Sequence, residues 1–302
     1  MTLVDDRPPP TTPADATRAR PAPPARSGSL DAGDTSAVLG ARGGLGRRLG
    51  LRLLAVVLLI GVWWAVAAWG EDDPVIRPSP GLVWDTFVQL NTTHDGVRGY
   101  NGQLLIEHLA VSLRRILIGS AIGIAGGLVL GVVLGTVSWV RVMAEPLVTF
   151  VRALPPLAYF SLFVIWFGID ETPKIWLLAV AALPPVAVAT AAAVVSAPIS
   201  LVESVRALGA RRIDTIRDVI LPAALPEILT GIRIAVGIAY SSVVAAETIN
   251  GLPGIGGMVR DAQRYNNTAE VLVGIIAIGI SGLVIDGLLS AAGRRLAPWR
   301  GR

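Results

Sequence analysis

Cysteine is absent from the 302 residues, and histidine occurs only at His94 and His108. Disulfide frameworks, thiolate catalysis and cysteine-ligated metal sites are therefore excluded. Neither histidine belongs to an H-E-x-x-H or similar zinc pattern, and no nucleophile constellation is present, so a membrane enzyme is disfavoured. Lysine occurs once, at Lys174, and no G-x-x-x-x-G-K-[ST] phosphate cradle exists. The chain cannot harness ATP by itself: either a partner supplies energy or solute moves downhill, as through a channel. Charge is also scarce, at 16% of residues, against 53% apolar residues and a mean hydropathy of +0.62. Such a balance belongs to an integral membrane protein.

The net charge of +4 and the pI near 10.1 do not point to nucleic acid in such a chain. Basic residues of membrane proteins gather on the cytoplasmic side, where they meet anionic lipid. Residues 1–50 are rich in Pro, Ala, Arg, Asp and Gly without an apolar period, and read as a disordered cytoplasmic tail. The first apolar run starts near Leu53, too far from the N-terminus for a cleaved secretory leader, so it is expected to stay as a span. Residues 51–302 then form one transmembrane domain.

An all-α polytopic protein with about six spans is expected, at roughly 53–70, 116–137, 144–168, 175–195, 227–249 and 272–292. Pro155 and Pro156 should kink or delay the third span, and Pro184 and Pro185 should interrupt the fourth, as a static kink or as a hinge. With the N-terminus inside, most arginines fall in the tail, at Arg141, between Arg206 and Arg217, and at the C-terminus, which puts both termini in the cytoplasm. Arg114, Arg115 and Lys174 are then assigned to external segments. The second span carries glycine at 119, 123, 127, 131 and 135, so one face has no side chains and another helix can approach closely.

Between the fourth and fifth spans lies ESVRALGARRIDTIRDVILP, Glu203 to Pro222, within a polar segment at 198–222. Pro198 breaks the preceding helix, and Ser200 with Glu203 has capping-box spacing for a new one starting near Leu201. Val202, Val205 and Leu208 share one face, Glu203 and Arg206 flank it, and Gly209 suits a left-handed cap. Ile213, Ile216 and Ile220 repeat at helical spacing until Leu221 and Pro222, which are expected to stop the second helix. Two short amphipathic helices joined at a glycine could lie on the membrane surface or dock into a groove of a soluble partner.

The same residues resemble the signature of permease subunits of ATP-driven, binding-protein-dependent ABC importers: E-A-A, three residues, G, nine residues, I-x-L-P. Glu203, Gly209, Leu221 and Pro222 match it, Val219 replaces the isoleucine, and Ser204 and Val205 replace the alanines. Residues 104–300 share the likeness, most specifically in VIWFGIDETPKI, LPAALPEILTGIRI and VVAAETI, and place it in the sulfonate, nitrate and taurine group. The resemblance implies a type I importer permease in a bacterial inner membrane. Its ATPase-coupling residues would be Glu203, Arg206, Leu208, Gly209, Val219, Leu221 and Pro222. It further implies a cytoplasmic ATPase dimer that holds ATP and Mg, a second permease copy, and an extracytoplasmic solute-binding protein. No cofactor is expected on this chain. Taurine or a related sulfonate is the expected cargo, with nitrate, bicarbonate or a pyrimidine precursor as alternatives.

Charge inside spans is costly, so Arg152, Arg233, Glu247 and Asp286 each need a partner or a route to water. Arg233 either snorkels to the headgroups or pairs with Asp286 at similar depth in the sixth span. Glu247 lies too far along the helix to meet Arg233. Tyr240, Ser241, Ser242 and Glu247 form a polar patch that could line an anion or zwitterion path, although serines also bond back to their own helix.

Overall fold

A computed structural model describes residues 45–68, 76–94, 96–249, 251 and 253–299. The chain divides at Val57 and Leu58 into two units. Of the first unit only the start of helix α1 (Leu45–Ala68) is described, so most of the expected tail lies outside the described residues, while Leu45–Gly50 are helical.

In the second unit, Ser79 accepts the Leu82 N–H at 3.2 Å and Pro80 sits in the first turn, which starts α2 (Pro80–Leu90). A two-residue antiparallel pair follows, β1 (Thr93–His94) with β2 (Val97–Arg98), a small exception to an all-helical fold. The remaining helices are α3 (Leu105–Thr136), α4 (Ser138–Ala153), α5 (Pro156–Phe167), α6 (Glu171–Val195), α7 (Ile199–Ala207), α8 (Arg212–Thr215), α9 (Leu221–Ile249), α10 (Ile255–Arg264) and α11 (Thr268–Leu296). A π-helical turn, Ile216–Ile220, joins α8 to α9.

Among the described residues four helical stretches are long and apolar enough to cross a membrane: α3, α6, Arg212–Ile249 and α11. The pair α4 and α5 makes a fifth if counted as one broken span, and the apolar part of α1, Leu53–Ala68, is shorter than a span. The third expected span is thus two helices bent by 96°. The cause is local: Leu154, forced to extended backbone ahead of proline, and Pro155 leave the helix, and Pro156 begins the next. The fourth span runs through Pro184 and Pro185 without a break in the helix.

The core is a triple of α3, α6 and α9, with α6 the most buried span. Its close approach to α3 follows from the glycine stripe: a methyl on Gly123 would fall on the Ala179 carbonyl, on Gly127 2.7 Å from the Leu183 oxygen, and on Gly131 2.5 Å from Thr190 Cβ. Lipid tails are as apolar as leucine, so packing of bare helix faces supplies the attraction between spans. Gly231 does the same for α9, whose added Cβ would strike Ala189 of α6. At one end, Val83 and Leu90 of α2 pack with Leu105, with Ile255 and Met258 of α10, and with Val273 of α11. Tyr100 donates to Asp261 of α10 at 2.9 Å, which ties the loop after β2 to this cluster.

Candidate functional site

The polar elbow is built by helix termination. Helix α7 begins at Ile199, directly after Pro198, and ends in a Schellman motif: Gly209 N–H donates to the Arg206 carbonyl at 2.9 Å and Ala210 N–H to the Val205 carbonyl at 3.2 Å. Gly209 has φ +87°, a conformation that L side chains resist, so glycine sets the corner. The expected Ser200–Glu203 capping box does not form. Proline already fixes the helix start, and Ser200 lies inside α7, where its carbonyl accepts from the Ser204 hydroxyl at 2.7 Å.

Val202 is buried and Val205 half-buried, while Leu208 at the tip is 88% exposed and Glu203 and Arg206 are exposed. The three apolar residues therefore do not share one environment: Val202 anchors the elbow and Leu208 projects from it. Leu221 and Pro222 do not end the second arm. Leu221 N–H reaches back to the Ile216 carbonyl, and this wider turn carries the chain through Pro222, which has no N–H to donate, into α9. Val219 lies within that turn, half-buried like Leu221, and Pro222 is exposed. The elbow is also tied to α3, since Arg212 Nη2 donates to the Thr136 carbonyl at 2.8 Å. The elbow is thus attached to two core spans, to α3 by this hydrogen bond and to α9 by the chain itself.

A second constellation lies outside the residues that the sequence singled out as a group. Arg115, assigned to an external segment beside the second span, lies within α3 with its side chain 2% exposed. Its Nη1 meets Glu247 Oε1 at 2.5 Å and the Pro253 carbonyl at 2.8 Å, and its Nη2 and Nε meet the two Glu171 oxygens at 2.5 and 2.6 Å. Lys174, also expected outside, is buried in the first turn of α6, 3.6 Å from Glu171 Oε1. Ser112 donates to Glu247, Gly256 N–H donates to Glu247 Oε2 at 2.9 Å, and Ile255 N–H donates to Ser112 Oγ at 3.0 Å. His108 accepts Gly254 N–H at Nδ1, which leaves Nε2–H to donate to the Tyr100 carbonyl.

Two cations and two carboxylates thus compensate one another, which makes burial tolerable. A signal for this knot existed: His108, Ser112 and Arg115 continue the glycine stripe toward the N-terminus at spacings of four, three and four residues.

The polar patch on α9 separates by depth. Glu247 is fully buried in the knot, and Ser242 is buried with its hydroxyl on the Ile238 carbonyl at 2.7 Å. Ser241 is exposed and bonds the same carbonyl at 2.9 Å, whereas half-buried Tyr240 donates to the Ile278 carbonyl of α11 at 2.9 Å and meets Ser281. Arg233 pairs with Asp286 through Nη2 at 2.8 Å to both carboxylate oxygens and through Nε at 3.0 Å. Arg152 sits exposed in the last turn of α4.

Comparison with known proteins agrees with this architecture. Residues 123–300 match the family described as the inner membrane component of binding-protein-dependent transport systems. The taurine transport system permease protein TauC of Escherichia coli (strain K12) is 39% identical over 257 residues, 85% of this chain and 92% of that protein. The putative aliphatic sulfonates transport permease protein SsuC of Bacillus subtilis (strain 168) is 33% identical over 248 residues, 82% of this chain and 87% of its own length. In fold, the chain is similar to one from the inward-facing MetNI methionine ABC transporter, with a TM-score of 0.55 and 21% identity over 66% of this chain and 96% of that one. A glycine-cornered elbow between apolar spans, a helical core of the same fold and a family match over most of the membrane domain lead to one conclusion: the chain belongs to the binding-protein-dependent transport system inner membrane component family, as an ABC importer permease.

Proposed function

We propose that this chain is the translocating subunit of an ATP-driven importer for taurine or a related sulfonate. Two copies form the path in the inner membrane, with both termini in the cytoplasm. A cytoplasmic ATPase pair, which holds ATP and Mg, docks on the elbows, and an extracytoplasmic binding protein delivers cargo. The single observation that carries the coupling role is the elbow itself: an exposed apolar tip at Leu208 between exposed charges, on a corner fixed by Gly209 and anchored to α3 and α9. A narrow apolar ridge with charged flanks suits insertion into a groove of a soluble protein. Closure of the ATPase dimer draws the two elbows together, tilts the attached spans and turns the path from inward to outward facing.

The cargo reading draws on the taurine and sulfonate permeases among the relatives. Growth on taurine as sole sulfur source, with and without the gene and with its ATPase, tests both parts. Loss of growth on deletion, restored only when the ATPase is present, is the expected result. Growth that persists without the ATPase would indicate a channel, and normal growth of the deletion strain would remove taurine in favour of nitrate, bicarbonate or a pyrimidine precursor.

A further inference from the structure

The Arg233–Asp286 pair joins α9 to α11 within two apolar spans, yet its side chains are 37% and 55% exposed. A charge pair meant only to hold two helices together would be withdrawn from its surroundings, as Arg115 and Glu247 are. Half-exposed ions in a spanning segment face protein or a water-filled space, not hydrocarbon. This face of α9 and α11 therefore borders protein or water.

The pair opens onto a cavity of about 220 Å³ lined by Arg233, Gly237, Tyr240, Gly282, Asp286 and Leu289. Glycine on both walls keeps it open: a Cβ at Gly237 would meet nothing within 4 Å, and one at Gly282 would only touch the Tyr240 ring at 3.5 Å. Exposed Ser241 lies two turns from Arg233 on the same side of α9. The guanidinium gives Nε and Nη2 to Asp286, so both Nη1 hydrogens remain for an anion, and the carboxylate keeps lone pairs for a cation. Donors for an anion and acceptors for an ammonium thus stand side by side.

We propose that Arg233 and Asp286 form a transient binding site for the zwitterionic cargo, with Arg233 on the sulfonate and Asp286 on the ammonium, and Tyr240 and the two glycines shaping the pocket. The site rests on the taurine reading above and adds the residues that would recognise the amine as well as the acid. The two charges hold each other when the pocket is empty, so no isolated ion is left between cargo molecules.

The test is transport of taurine and of ethanesulfonate, which lacks the ammonium, by the complete transporter in proteoliposomes, read as the ratio of the two rates. Asp286→Asn should lower the taurine-to-ethanesulfonate ratio about tenfold, the scale of one lost charge-assisted hydrogen bond. Gly237→Ile fills the cavity while leaving both charged residues in the chain and should reduce transport of both sulfonates, with membrane abundance measured alongside to separate a blocked pocket from a failure to fold. An unchanged ratio in Asp286→Asn, or full taurine transport by Gly237→Ile, would overturn the site. Failure of the unaltered transporter to carry either sulfonate would overturn the cargo reading itself, and the site with it.

Discussion

Arg115 Nη1 lies 2.5 Å from Glu247 Oε1, and neither side chain reaches solvent although one belongs to α3 and the other to α9. Glu171 of α6 takes the Nε and Nη2 side of the guanidinium, so one arginine of α3 bonds to both other core spans. The turn into α10 closes over this knot. Gly254, at φ +148°, has space only for hydrogen, because a Cβ there would stand 2.6 Å from Glu247 Cδ and 2.7 Å from Arg115 Nη1.

Removing one partner of a buried ion pair leaves the other uncompensated. Glu247→Ala should therefore cost about 3–5 kcal/mol of stability, whereas Ser112→Ala, which loses neutral hydrogen-bonding capacity, should cost about 1–3 kcal/mol. Thermal unfolding of the purified protein in detergent checks the order. Equal, small losses would contradict a structural role for the knot.

The glycine stripe makes a paired prediction. Gly123→Val places a branched side chain on the Ala179 backbone, so the spans must separate, with a loss of about 1–3 kcal/mol or outright failure to accumulate in the membrane. Gly279→Ala on α11 meets nothing within 4 Å and should be neutral or stabilising by up to about 1 kcal/mol. Membrane abundance and unfolding temperature distinguish the two.

At the elbow the cost is conformational. A Cβ on Gly209 has open space around it, so φ +87° alone penalises substitution. Asparagine tolerates the left-handed region better than alanine, and a β-branched residue tolerates it least. Uptake should fall in the order Gly209→Asn, Gly209→Ala, Gly209→Val, the last carrying about 1–2 kcal/mol of strain at the corner. Unaltered uptake in Gly209→Val, with the protein present at normal levels, would separate the corner from coupling.

Burial and the neighbouring Asp261 carboxylate push the Tyr100 hydroxyl above its ordinary range. A raised pKa in the folded state adds stability that is intact below the unfolded value, about 10, and is lost as pH rises above it. Unfolding temperature should therefore decline above about pH 10 more steeply than in Tyr100→Phe. Parallel declines would show that the Tyr100–Asp261 bond does not hold the loop.

How far the residue string revealed this arrangement depends on the range of each interaction. The glycine stripe and the prolines at 155 and 156 act within one helix or on its immediate neighbour, so both the close contact of α3 and the broken third span follow from spacing and dihedral limits. The Arg233–Asp286 pair could be anticipated because the two lie at matching depth in apolar runs. The burial of Arg115 was not foreseen because two adjacent arginines resemble the edge of a span, and its partner Glu247 is remote in sequence. Local rules also failed at Pro222, where a π-helical turn absorbs a residue that ordinarily ends a helix.

The most direct test of the account is site-specific crosslinking from position 208 in cells that express the whole transporter. Leu208, 88% exposed at the corner, should capture the cytoplasmic ATPase when replaced by a photoreactive residue, and a cysteine there should resist impermeant reagents added outside the cell. Labelling of position 208 from outside, or crosslinking that never yields the ATPase, would contradict it.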